Sequence, residues 1–432
     1  MGEALGGGDH AGALDAHMIG QRAAIIAIGS EMLGPLRRDT NSLWLTERLE
    51  EKGIAVIRKS VVGDDPDEIG RELTFAASTA GWVFTTGGLG PTADDVTVPA
   101  LARWAGVPLR RDAAFVAAMR KRWERRGVPM PAVNEKQADV PEGSRVLDNP
   151  RGTAPGFWLR KDGTNVIVLP GVPSEMREIF DQKIAPELPG WTGEGMRRRV
   201  LRIAGMAESA VEELVAPTYR KWNDDPVTIL ASPGEVELHL VARGRPADVE
   251  ARLAAMESDF REALGRRIHS SNGESLAAGV GRLLTERGRT LALAESCTGG
   301  LASSMLTDVP GASAWYLGSV VSYADSAKTG LLDVPEALLE REGAVSEAAA
   351  LEMARGALRR FGAGLGASIT GIAGPDGGTA EKPVGTVFFA VADSEGKSQT
   401  KKRFYGGDRS VIRRASAMFS LEMIRRFLLE AV

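Results

Sequence analysis

Twice along this chain, short apolar runs alternate with amphipathic segments of helical period, and nearly every run stops in a glycine-rich turn. The first series holds "RAAIIAIGSEM", "IAVIRKSVVGD", "GWVFTTGGLGPTADD" and "NVIVLPGVPSEMREIF", with helical segments "TNSLWLTERLEEKG" and "DEIGRELTFAASTA" between them. Strands alternating with helices predict parallel strands and right-handed crossovers, with ligands at the strands' carboxyl ends. The second series holds "LALAESCTGGLASSMLTDVPG", "YLGSVVSYADSAKTGLL" and "ASITGIAGPDGGTAEKPVGTVFFAVADSEG", with helices at "ESLAAGVGRLLTERG" and "SEAAALEMARGALRRFG" and a long final helix from Asp408. The fold class is therefore α/β twice over.

Between the two lies a segment of different character, "RRRVLRIAG", "ESAVEELVAPTYRKW", "VTILASPGEVELHLVARG" and "DVEARLAAMESDFREALG", which reads as a small α+β module without a phosphate loop. A length of 432 residues agrees with several domains. The expected divisions are a loose glycine- and alanine-rich tail at 1–21, α/β domains at 22–190 and 274–432, and the small module at 197–270. One cysteine excludes an intrachain disulfide framework and fits a reducing cytoplasm. A net charge of -4 gives no basic field for nucleic acid, so nucleic acid is not expected as a partner. No apolar run has the length of a membrane span, and a homodimer is the default expectation.

The turn after "LALAE" puts Ser296, Cys297, Thr298, Gly299 and Gly300 at a strand-to-helix junction, where free amides favour an anion and either Ser296 or Cys297 can be the nucleophile. Cysteine is the better nucleophile, but adjacent residues on a turn point apart, so only one faces the substrate. None of the four histidines lies in these motifs, which leaves a lysine as base; Lys328, five residues after Tyr323, is the candidate. Its alternative is an exposed lysine at a helix start, and that of Ser296 a helix cap. Thr370 ends another strand, and Gly371, Gly374, Glu381 and Lys382 follow on a glycine-rich loop. Arg409 and Arg413, four apart on the last helix, form a pair suited to a phosphate or to the surface.

In the first series, Thr86, Gly87, Gly88 and Gly90 form a small-residue turn, with Thr92, Asp94, Asp95 and Thr97 after it and Glu31, Asp39 and Asn41 in an earlier loop. Small residues admit phosphates, and adjacent carboxylates suit a hard divalent cation that neutralises them. An Asp-rich helix cap is the alternative.

The motifs "ESCTGGLASSMLTDVPGAS", "GSVVSYADSAKTGLL" and "TGIAGPDGGTAEKPVGTV" resemble the CinA carboxy-terminal domain. The resemblance implies deamidation of nicotinamide mononucleotide to nicotinic acid mononucleotide and ammonia without a cofactor. It makes Ser296 the nucleophile, Lys328 its base, Tyr323 and Thr370 their supports, and the Thr298–Gly300 backbone the holder of phosphate or oxyanion. The earlier loops resemble the molybdopterin-binding-like amino-terminal domain of the same family, which implies metal-dependent hydrolysis of ADP-ribose to AMP and ribose 5-phosphate. Asp94 and Asp95 would then carry magnesium, manganese or cobalt. The chain reads "GSEMLGP" where family members usually read "GxELLLG", so that loop can differ. The middle module is similar to the family's KH-like linker. Two narrower readings are a deamidase with a nucleotide- or pterin-sensing first domain, and a competence or DNA-repair accessory.

Overall fold

The computed structural model describes residues 20–125, 127–191 and 195–430. All but the last two residues of the expected tail lie outside them. The chain forms two compact units, one made of residues up to Arg197 with Arg243–Glu250, the other of Arg198–Ala242 with Ala251–Val432.

In chain order the first α/β domain contains β1 (Arg22–Ile28), α1 (Asn41–Glu51), β2 (Ala55–Val62), α2 (Pro66–Thr79), β3 (Trp82–Thr86), α3 (Thr97–Ala105), β4 (Leu109–Arg111), α4 (Ala113–Arg125), β5 (Asp139–Pro141), β6 (Arg145–Leu147), β7 (Gly156–Lys161), β8 (Thr164–Leu169) and α5 (Pro173–Ile179). Its six-stranded sheet has the order β2-β1-β3-β8-β7-β6. The first four strands are parallel, as the alternation predicts. β7 and β6 run antiparallel, a departure from that expectation. The reason is local: Asp162 and Gly163 both adopt positive φ, at 49° and 85°, and an Asp-Gly pair in that conformation closes a two-residue hairpin.

The small module contains β9 (Gly195–Ala204), α6 (Glu208–Tyr219), β10 (Val227–Ser232), β11 (Glu235–Gly244), α7 (Pro246–Leu264) and β12 (Ile268–Ser270), with sheet order β10-β11-β9-β12. Arg199 pairs there with Glu257, and Arg202 with Glu235 and Glu237.

The last domain contains α8 (Leu276–Glu286), β13 (Leu291–Glu295), α9 (Leu301–Thr307), β14 (Tyr316–Val321), α10 (Asp325–Leu332), α11 (Glu336–Glu342), α12 (Glu347–Phe361), β15 (Leu365–Gly371), β16 (Thr386–Asp393), β17 (Ser398–Phe404) and α13 (Arg409–Glu430). The sheet order is β14-β13-β15-β16-β17, parallel through β15 and antiparallel beyond it. β17, "SQTKKRF", lacks the apolar run by which the other strands announce themselves, because it is a charged edge strand whose ladder is supplied by β16. Leu291, Leu293, Ala367, Ile369, Val387 and Phe389 pack on one side of the sheet beneath α8 and α13. Ala292 and Ala294 face the other side, against Met353 and Ala357 of α12 and Leu332 of α10. Each fully buried Leu, Ile, Val or Phe contributes about 1.5–3 kcal/mol.

Residues 198–242 and 251–270 of the module share one compact unit with the last domain, where α13 contacts both. Arg425 of α13 donates to the carbonyl of Arg266, and the fully buried Glu422 accepts from Arg425 and Arg426.

α12 lies so close to β15 that a Cβ on Gly366 would sit 2.1 Å from the carbonyl oxygen of Ala354. Gly366→Ala should therefore lower the stability of the last domain by about 1–3 kcal/mol, read as a lower thermal midpoint for its calorimetric transition.

Candidate active site

Ser296 sits where three parallel strands end side by side. The ladder continues one residue past β13: the Ser296 amide donates to Ile369 O at 2.9 Å, and the Ser322 amide to Glu295 O at 2.8 Å. Side chains on strands alternate between faces. Ala292 and Ala294 face α12, and so do their neighbours on β15, where the Ser368 hydroxyl donates to Ala350 O. Two residues further, Ser296, Ser322 and Thr370 share this face. Glu295 and Cys297 belong to the opposite one, and Cys297 is counted among its core residues.

That alternation decides between the two nucleophiles. The Cys297 thiol is 5% exposed, and burial pushes its pKa up to about 12, so it stays protonated and packed. Ser296 is 8% exposed. Lys328 is 1% exposed on α10, which corrects the reading of a solvated helix-start lysine. Its Nζ donates to Tyr323 O at 3.3 Å and to Asp325 Oδ1 at 3.2 Å. Thr370 is buried too, but its hydroxyl donates to Ala344 O at 2.8 Å, which fixes the strand end rather than leaving the group free for a substrate.

Glu295 is the surprise of the turn. Fully buried, it accepts at Oε2 from the amides of Gly300 at 3.0 Å and Ala302 at 3.2 Å, and at Oε1 from the amide of Ser303 at 2.8 Å and its hydroxyl. The helix entrance that sequence reading assigns to a phosphate or oxyanion is thus filled by the chain's own carboxylate. Gly299 N donates to Ser296 O. Among the described residues, the Cys297 and Thr298 amides of the turn have no carbonyl acceptor. Arg413 fixes the same turn from behind, donating to the carbonyls of Cys297 at 3.1 Å and Thr298 at 2.7 Å, and is not a free phosphate ligand.

Arg409, at the start of α13, donates to Gly374 O and to the Tyr323 hydroxyl, both at 2.8 Å. Tyr323 is 61% exposed, and Arg409 is exposed beside it. Gly371 ends β15; Glu381 stands exposed on the loop beyond, and Lys382 reaches back to Glu342 O at 2.7 Å.

In the first domain, Glu31, Asn41, Thr86, Gly87, Gly88, Gly90, Thr92, Asp94 and Asp95 all line one cleft of about 640 Å³ at the carboxyl ends of β1 and β3. Gly87 and Gly88 have φ of 105° and 65°, and a Cβ on them would lie 2.1 Å from Ile28 O and 2.0 Å from Thr97 Oγ1. Only glycine fits there. Asn41 Nδ2 donates to Gly171 O at 2.8 Å, while its buried Oδ1 has no partner. Arg37, Arg38, Asp64 and Gln137 also line the cleft. The arginines stand beside Asp39 and Asn41 in the segment "GPLRRDTNS" and could have been found there; Asp64, which accepts from the Ser30 amide, and Gln137, which donates to Leu89 O, carry no such signal.

The aspartate pair divides its labour. Asp95 accepts from the amides of Gly90 at 2.7 Å and Thr92 at 2.8 Å, one on each oxygen, so both its oxygens hold the loop. Asp94 is exposed, and the Thr92 hydroxyl first, then its own amide and Lys136, hold its pKa below the ordinary carboxylate value. Among the described residues, no group of three or more His, Cys, Asp or Glu is arranged to hold a metal ion. The donor set suits an ion shared between Asp94, water and substrate phosphates, as magnesium sites are commonly built, rather than a closed cage.

Family models match the chain in three consecutive stretches: "Probable molybdopterin binding domain" over residues 24–190, "Damage-inducible protein CinA KH domain" over 198–270, and "CinA C-terminal domain" over 273–428. A CinA-like protein of Koribacter versatilis (strain Ellin345) is 42% identical over 415 residues, 94% of this chain and 100% of the relative. A CinA-like protein of Solibacter usitatus (strain Ellin6076) is 40% identical over 406 residues, 94% of this chain and 97% of the relative. The crystal structure of competence/damage inducible protein CihA from Agrobacterium tumefaciens shares 41% identity at a TM-score of 0.35, covering 36% of this chain and 93% of that one.

Two outcomes are expected. Cys297 should resist a thiol reagent at pH 8 in the folded protein and label fully in denaturant. Glu295→Gln, which turns an amide NH2 toward backbone donors, should cost about 3 kcal/mol in a denaturant titration of the last domain.

Proposed function

The chain belongs to the CinA family, and from that premise we propose a bifunctional hydrolase of pyridine-nucleotide breakdown products. The last domain deamidates nicotinamide mononucleotide, and the first hydrolyses ADP-ribose to AMP and ribose 5-phosphate. The observation that carries the deamidase reading is Ser296 at the mouth of the strand ends, on the same face as the helix that bears the buried Lys328. Ser296 Oγ attacks the carboxamide carbon, and its proton passes to Lys328 in its amine form. The oxyanion is held by the Cys297 and Thr298 amides. The C–N bond breaks as the proton returns to nitrogen, ammonia leaves, and water then releases the acid from the serine ester. The substrate's phosphate meets Arg409.

In the first domain, the Gly87–Gly90 turn with Arg37 and Arg38 supports binding of a pyrophosphate. A divalent cation held by Asp94 would neutralise charge on the substrate phosphates. The remaining roles rest on the chain's own groups: Asn41 offers an unpartnered acceptor to a ligand donor, and Asp95 keeps the loop in its binding form. Both substrates are small molecules. We place the protein in the cytoplasm as a homodimer on the same expectation as before.

Ser296→Ala should lower ammonia release from nicotinamide mononucleotide by at least about 10³-fold and leave ADP-ribose hydrolysis unchanged. Asp94→Ala should do the reverse, weakening the metal dependence of the second activity alone. Loss of both activities in either variant would refute two separate sites.

A further inference from the structure

Ser322 is fully buried, and its hydroxyl has no hydrogen-bond partner. A buried hydroxyl without a partner costs stability, so its presence calls for a reason other than folding. Its position supplies one. The Ser322 amide is pinned to Glu295 O at 2.8 Å, which sets Ser322 beside Ser296 across the β13–β14 ladder and on the same face. The next residue, Tyr323, offers its carbonyl to Lys328 Nζ at 3.3 Å. The amine therefore lies against the Tyr323–Ala324 peptide, one residue beyond Ser322. In its amine form Lys328 has two N–H donors, which Tyr323 O and Asp325 Oδ1 satisfy, and one lone pair left to receive a proton.

We propose that Ser322 is a proton-relaying residue between Ser296 and Lys328, a serine–serine–lysine relay that deepens the deamidase reading and rests on it. As Ser296 Oγ bonds to the carboxamide carbon, its proton moves to Ser322 Oγ, and the proton of Ser322 moves to Lys328 Nζ. The return path delivers that proton to the leaving nitrogen, so Ser322 ends each half-reaction unchanged. Rotation about its χ1 bond, or one water, brings its hydroxyl into contact with both partners when substrate binds, since catalytic hydrogen bonds commonly tighten only in the complex. Thr370, on the other flank of Ser296, does not serve this purpose, because its hydroxyl is already given to Ala344 O.

The test compares the full-length wild type with Ser322→Ala and Ser322→Thr in three measurements. These are steady-state ammonia release from nicotinamide mononucleotide, labelling of Ser296 by a fluorophosphonate followed by mass spectrometry, and the thermal midpoint. Ser322→Ala should lower kcat by about 10²-fold with KM little changed, slow Ser296 labelling by a similar factor, and hold or raise the midpoint. Ser322→Thr, which keeps a hydroxyl, should recover most of both rates. Wild-type kcat and labelling in Ser322→Ala would overturn the relay, as would a rate loss that comes with a lowered midpoint. A wild type whose Ser296 does not label overturns it as well. Ser296 labelling that depends on Ser322, in a protein that releases no ammonia, would keep the relay and refute the substrate.

Discussion

The last domain depends on one buried carboxylate. Glu295 ends β13 and turns back to take the amides of Gly300, Ala302 and Ser303. A carboxyl group removed from water is tolerated only where hydrogen bonds replace its hydration. Here four donors do so, all from the first turn of α9 and the residue before it. The bond locks the strand to the helix that follows, and the residues between them, Ser296 to Gly299, have almost no freedom left. The positive φ of Gly299 and Gly300, 59° and 91°, lets the backbone close so short a loop.

Several properties of the site follow from that lock. With the helix entrance filled from within, it has little attraction for an added anion. Arg413 takes the turn's carbonyls from the opposite side, so the loop is gripped through both its donors and its acceptors. A rigid turn also fixes which side chain faces where. Strand alternation sends Glu295 and Cys297 into the core beneath α8 and α13, and Ser296 toward α10 and α12, where Lys328 is buried.

The first domain solves a similar problem by different means. Its phosphate-type loop is shaped by glycines that no side chain could replace, and it is held by Asp95, whose oxygens bond Gly90 and Thr92. One aspartate of an adjacent pair thus becomes structural, while its neighbour Asp94 stays exposed with a depressed pKa. Adjacent residues again serve opposite purposes because they point in different directions.

The sequence by itself determined both α/β halves and the small module between them, and the loop residues it singled out in the first domain, Thr97 apart, line one cleft. Periodicity and glycine placement are local properties, and local properties are what a single chain displays. It did not show β17, whose charged residues pair only because β16 lies beside them, nor the direction of β7, although the Asp162–Gly163 turn encodes that locally. The sites divide in the same way. Ser296, Lys328 and Asp94 were legible as residue types that suit the chemistry, but the tertiary structure alone decided that Cys297 is packed away, that Thr370 and Arg413 are bound to backbone, that Glu295 fills the anion site, and that Ser322 stands unpaired beside the nucleophile. Glu295 takes its donors from within eight residues, but Thr370 and Arg413 depend on partners distant in sequence, and whether a polar atom is free or already satisfied is settled only when its partner arrives.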